Sequence, residues 1–91
     1  MAATVRIPTV LRKLTAGLDE VPATGDSVGD VLRTLGQSYP AFLERITLET
    51  GELRPFLNIF VNGDDIRFAQ DLDTPVSDGD EISIIPSVAG G

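Results

Sequence analysis

Among its 91 residues the chain has no cysteine and no histidine. Without cysteine it can form no disulfide, thiolate nucleophile, persulfide or zinc–thiolate site. Without histidine it has no imidazole to act as a general base near neutral pH. Basic residues are scarce: seven, with Lys13 the only lysine, against fourteen acids, for a formal net charge of −7. Such a surface repels phosphate backbones, which argues against a nucleic-acid partner and suits a basic face on another protein. The plainer reading of the acidity is that it keeps a small protein in solution. No apolar stretch approaches the roughly 20 residues of a membrane span. Residues 1–8 lack the apolar centre of a signal peptide. The expected location is therefore the cytoplasm, with no membrane partner. The acids do not follow the D-x-D-x-D-G spacing of a calcium loop, and no paired-carboxylate motif is present. No metal ligands, no catalytic residues and no enzyme activity of the isolated chain are expected.

What is present suits one small globular domain, since 42% of residues are hydrophobic and 23% charged. Thr4-Val5-Arg6-Ile7-Pro8 alternates polar and apolar residues and reads as a strand, with Val5 and Ile7 on one face. Gly17 breaks the following stretch. Glu20-Val21-Pro22-Ala23 reads as a second strand that its proline confines to an edge or a strand end, completing an opening hairpin. Ser27 is placed to cap a helix, with Asp30 in the capping-box position. Val28, Val31, Leu32 and Leu35 form one apolar helical stripe, and Pro40 ends that helix near Tyr39. Phe42, Leu43, Ile46 and Leu48 suggest a short helical turn packed on the core. Leu57, Ile59 and Val61 lie on one face of the clearest strand, with Phe56, Asn58 and Phe60 on the other. Asn62-Gly63 is a turn dipeptide, Asp65-Ile66-Arg67-Phe68 a short returning strand, and Asp78-Gly79-Asp80 another turn. Glu81-Ile82-Ser83-Ile84-Ile85-Pro86 is the last strand, with Ile82 and Ile84 facing inward. A single long helix covers one face of such a sheet and leaves the other partly wet.

After Pro86 come only Ser87, Val88, Ala89, Gly90 and Gly91, with no bulky anchor among them. The reading is a domain over residues 1–86 and a flexible tail over residues 87–91. Fully extended, five residues reach roughly 17 Å. A Gly-Gly end fits a narrow slot where a Cβ would clash. Its tip is an unhindered α-carboxylate that an ATP-holding enzyme can convert to an acyl adenylate, which sulfide then converts to a thiocarboxylate. The competing reading is a frayed end, which also favours small residues.

The chain resembles the ubiquitin-like sulfur carriers of the MoaD/ThiS family across essentially its whole length. The resemblance rests on the strand Val5-Arg6-Ile7-Pro8, the helix from Ser27, and Asn58-Ile59-Phe60-Val61-Asn62-Gly63. It also rests on the turn Asp78-Gly79-Asp80 and the ending Pro86-Ser87-Val88-Ala89-Gly90-Gly91. The stretch Phe60-Val61-Asn62-Gly63-Asp64-Asp65-Ile66-Arg67-Phe68 is especially similar to an actinobacterial member that delivers sulfur to a cysteine synthase using O-phosphoserine. The resemblance implies an α+β, ubiquitin-like β-grasp fold with a mixed sheet and one main helix. It implies that an E1-like adenylyltransferase/sulfurtransferase activates Gly91, with Gly90, Ala89 and Val88 inserted into the partner. ATP would be used by that enzyme, and no cofactor held by this chain. A sulfur-accepting synthase, cysteine synthase-like or another thiolating enzyme, would be the second partner, and the free carrier a monomer.

In ubiquitin-like proteins the open sheet face binds partners, so Phe60 and Ile85, with Phe56, are expected to form an apolar docking patch. The alternative places residues 41–53 over them as a satellite core. Asp64, Asp65 and Arg67 could form a site, and Arg12 with Lys13 could help dock a partner, but both groups read more simply as solvated charges. Other functions stay open: the small subunit of molybdopterin synthase, a carrier for thiamin thiazole or thiosugars, a protein modifier joined to lysines through Gly91, or a β-grasp binding module with an idle tail.

Overall fold

The computed structural model describes residues 2–55 and 57–86. Alternation sets the first two strands. In β1 (Ala2–Arg6) Ala3 and Val5 are buried, and in β2 (Glu20–Thr24) Val21 and Ala23 are. The strands pair antiparallel, Val5 opposite Val21 and Thr4 opposite Pro22. β2 is a sheet edge, where the missing N–H of Pro22 is tolerated. The connection between them is longer than a hairpin loop. After Ile7 and Pro8 the chain forms a 3-10 helix, Thr9–Thr15, which the sequence pattern did not announce. Thr15 closes it: the fully buried hydroxyl lies 3.2 Å from the carbonyl of Arg12 and 3.0 Å from that of Leu18.

α1 (Val28–Ser38) begins as its sequence predicts. Ser27 is extended, and its Oγ accepts the Asp30 N–H at 3.2 Å. The Asp30 carboxylate pairs with Arg33 one turn on. Val28, Val31, Leu32 and Leu35 are all buried, each worth roughly 1.5–3 kcal/mol when fully removed from water. Tyr39 ends α1, and Pro40 occupies the first turn of α2 (Pro40–Ile46), where a missing N–H is harmless. Phe42 and Ile46 are completely buried in the central core, so this segment is core on the helix side and not a cover for the opposite sheet face. Leu48 does not join them: it lies beyond the Thr47 cap and is exposed.

β3 (Leu57–Val61), β4 (Asp64–Asp65) and β5 (Glu81–Pro86) complete a five-stranded sheet of order β2-β1-β5-β3-β4. β1 and β5 are parallel neighbours at its centre, with Arg6 beside Ser83, while β3 pairs antiparallel with β5, Asn58 opposite Ile85. Leu57, Ile59, Ile82 and Ile84 are buried toward the helices. Thr4, Arg6, Asn58, Phe60, Ser83 and Ile85, on the other face, are partly or fully exposed. This is the β-grasp arrangement. The returning strand is shorter than its sequence suggests. Asn62 (φ 51°) and Gly63 (φ 90°) make the two-residue hairpin turn, but only Asp64 and Asp65 pair with β3. The Asp65 carboxylate then accepts the Arg67 N–H at 2.9 Å and caps a 3-10 turn, Ile66–Phe68. That turn buries Ile66 and leaves Phe68 89% exposed. Among the described residues no helix is long and apolar enough to cross a membrane.

Candidate functional site

Parallel pairing of β1 and β5 sets β5 inside the sheet and so decides where Pro86 sits. Pro86 ends β5 opposite Leu57 of β3, three residues past Ser83, where the pairing with β1 stops. The residues singled out on the tail, Val88, Ala89, Gly90 and Gly91, lie outside the described residues, as does Phe56. What the structure builds is the surface around the tail's root.

That surface has two parts. The first is the open sheet face. Phe60 is half-buried and lies opposite Ser83, two residues from Ile85, which is 48% exposed. Phe60 and Ile85 are thus diagonal neighbours on adjacent strands, at a spacing of roughly 7–8 Å. The face is the one the alternation predicts; the neighbour relation comes from the pairing of β3 with β5.

The second part is a cleft of about 380 Å³ between the ends of β1 and β5. One wall is Arg6, Ile7, Pro8, Thr9 and Arg12; the other is Ser83, Ile84, Ile85 and Pro86. It exists because the strands part company. Their register ends at Arg6 beside Ser83, and Pro8 (φ −66°, ψ 151°) leads the chain away into the 3-10 helix. The last three residues of β5 keep β3 on one side and have the cleft on the other. Arg12 is half-buried at its lip, with Nε donating to the Ile7 carbonyl at 3.0 Å. Arg6 makes one loose ion pair, 3.6 Å from Glu81, with both side chains about half exposed. The sequence pattern marks Arg12 as a solvated charge with docking as the alternative, and marks Arg6 not at all. No local pattern places either residue here, because they meet the tail's root only through a pairing between the two ends of the chain.

The opposite end of the sheet carries the acidic turns. Asp80 accepts the Ser77 N–H at 2.8 Å and the Asn62 side-chain amide at 2.9 Å. These bonds, the backbone one foremost, hold its carboxyl below the usual carboxylate range. Asp65 is likewise lowered, first by its side-chain hydrogen bonds with Arg67 and then by the Arg67 N–H. Both acids are committed to holding turns, and the Asp65 side chain is largely covered where the sequence suggests a solvated charge. Among the described residues no three acidic side chains converge to hold a metal ion.

Comparison with known proteins adds a second line of observation. Residues 5–91 match the ThiS family. The sulfur carrier protein CysO of Mycobacterium tuberculosis is 44% identical over 93 aligned positions, covering all of both chains. Its crystal structure matches with a TM-score of 0.88 at 42% identity, over 94% of this chain and 99% of that one. A chain in the crystal structure of the Amycolatopsis orientalis BexX/CysO complex matches with a TM-score of 0.90 at 38% identity, over 98% and 99% of the two chains. The small archaeal modifier protein 3 of Haloferax volcanii is 40% identical over 65 residues, 71% of this chain and 70% of that one.

Proposed function

The chain belongs to the ThiS family, and from that membership we propose that it is a sulfur carrier, with Gly91 as the atom-bearing end. The observation that carries the reading is the full-length similarity to a sulfur carrier protein, through the Gly-Gly end. The chain is a co-substrate. Its terminal carboxylate attacks the α-phosphorus of ATP in an E1-like enzyme; the new bond is acyl oxygen to phosphorus, and pyrophosphate leaves. Sulfide from a donor then attacks the acyl carbon, the carbon–oxygen bond to AMP breaks, and loss of a proton leaves the thiocarboxylate. The domain's own part is mechanical. β5 is held between β1 and β3 as far as Ser83 and by β3 alone to Pro86, so the tail starts from a strand still anchored in the sheet. Phe60 and Ile85, with Phe56, form the apolar face against which the partner rests, and Val88, Ala89 and Gly90 enter its slot. The final acceptor is a cysteine precursor, a reading supported by the likeness to CysO.

Intact-mass spectrometry tests this directly. Incubated with ATP, a sulfide donor and its E1-like enzyme, the chain should exchange one oxygen for sulfur, and deletion of Gly91 should abolish the change. An unchanged mass under those conditions rejects the carrier. Presented to a cysteine synthase with O-phosphoserine, the thiocarboxylate should give up its sulfur. The similarity to an archaeal modifier supports a second reading, an amide between Gly91 and lysines of other proteins. It would show as higher-mass adducts that also need Gly91.

A further inference from the structure

We propose that the cleft where β1 peels away from β5 receives a carboxylate side chain of the protein that takes the tail, with Arg6 and Arg12 as its guanidinium partners. The inference rests on the carrier reading and says how the partner grips the root of the tail.

Position comes first. A protein that encloses the tail must lie against the surface around Pro86, and Pro86 is itself a wall of the cleft. Ile85 belongs both to the cleft and to the open sheet face, so one docking surface covers both.

Charge comes second. The chain has twice as many acids as bases, yet this cleft is lined by two arginines and by no aspartate or glutamate. Two other hollows carry more acid: one is lined by Glu52, Asp71 and Asp73, another by Glu44, Glu49 and Arg54. A third sets Arg45 and Arg54 beside Glu44, and a fourth holds Arg33 without an acid. The cleft at Pro86 joins two arginines with no acid in its lining, a local positive site on a chain of net negative charge.

Chemistry comes third. A guanidinium presents forked N–H donors that match a carboxylate. The bond from Arg12 Nε to the Ile7 carbonyl holds the group at the lip, and among the described residues neither terminal nitrogen has a hydrogen-bond partner. Among the described residues no carboxylate lies within ion-pair distance of Arg12. The pair between Arg6 and Glu81 is long and half exposed, so exchanging it for a partner's carboxylate costs little. The nucleotide of the activating enzyme is not the anion in question. It reacts at Gly91, and an extended tail holds it roughly 17 Å from Pro86.

The test uses the full chain and the E1-like enzyme that charges Gly91 in the mass assay, read by ATP–pyrophosphate exchange. Arg6→Ala with Arg12→Ala should raise KM for the carrier about tenfold with kcat little changed, and should flatten its dependence on salt. Arg12→Lys should recover only part of the loss, since an ammonium cannot reproduce the fork. Arg45→Ala, on the exposed side of α2, should leave KM unchanged. A double variant with wild-type KM and salt dependence overturns the inference, and so does an equal loss in Arg45→Ala, which would show only a general effect of charge. Arg6→Ala alone carries the test if removing the Arg12 bond unsettles the fold. If wild type is never charged, the carrier reading falls and this one with it. If wild type is charged and the variants match it, only this one falls.

Discussion

Asn62 works through its backbone and both ends of its amide. Its N–H donates to the Glu81 carbonyl at 2.8 Å, its Oδ1 accepts the Glu81 N–H at 2.9 Å, and its Nδ2 donates to Asp80. It does this in the left-handed region, which asparagine tolerates better than most residues. Asn62→Ala should lower stability and raise the Asp80 carboxyl partway toward its usual value, the Ser77 bond remaining; an NMR titration of that carboxyl checks it. Phe42 and Phe60 make an opposite pair. Phe42→Ala should cost roughly 3–5 kcal/mol in denaturant unfolding, because it empties a fully buried site. Phe60→Ser, on the half-exposed face, should cost far less stability while weakening the complex with the activating enzyme in a binding titration. A large loss of stability with binding intact would reassign Phe60 to the core.

At the scale of elements, the approach of α2 to α1 depends on Gly36. A Cβ there would lie 2.9 Å from the Leu43 Cβ and closer still to Cδ2. Alanine normally gains about 1 kcal/mol over glycine inside a helix. Here overpacking, roughly 1–3 kcal/mol, should outweigh it, for a net loss of up to roughly 2 kcal/mol. Chemical denaturation of Gly36→Ala, and of the same change with Leu43→Ala, separates the two effects: relief of the clash makes the double variant less unstable than the sum. α1 was legible because cap, stripe and terminator agree along one short window: Ser27, then Val28 to Leu35, then Pro40. The 3-10 helix Thr9–Thr15 was not, since a 3-10 segment lacks the 3.6-residue stripe. The stretch after Asp65 misled for a related reason. Its composition suits a strand, but a side-chain cap on the Arg67 N–H wins locally.

For the molecule as a whole, acid should be destabilising in a defined window. Asp65 and Asp80 have folded-state values below the ordinary carboxylate value of about 4. Each therefore binds a proton more weakly when folded than when unfolded, so their contribution is complete above about pH 4. It fades as pH falls below that value and is gone once both carboxyls are protonated in the folded state. Thermal melting between neutral pH and the acid range should show the decline, and Asp65→Asn with Asp80→Asn should make it shallower.

By itself the sequence determined that thiol and imidazole chemistry are absent from this chain, since it holds neither cysteine nor histidine. It determined the main helix, four of the five strands, and which side of each of them is apolar, because period and caps are local. It also determined that Phe60 and Ile85 share a face, since alternation propagates along each strand. Only the tertiary structure decided which strands are neighbours. The parallel pairing of β1 with β5 joins contacts some 77 positions apart, as between Thr4 and Glu81, and no local preference encodes such a pairing. That pairing puts the tail's root in the middle of the sheet. The departure of β1 at Pro8 opens the cleft beside it and gathers Arg6 and Arg12 at its mouth.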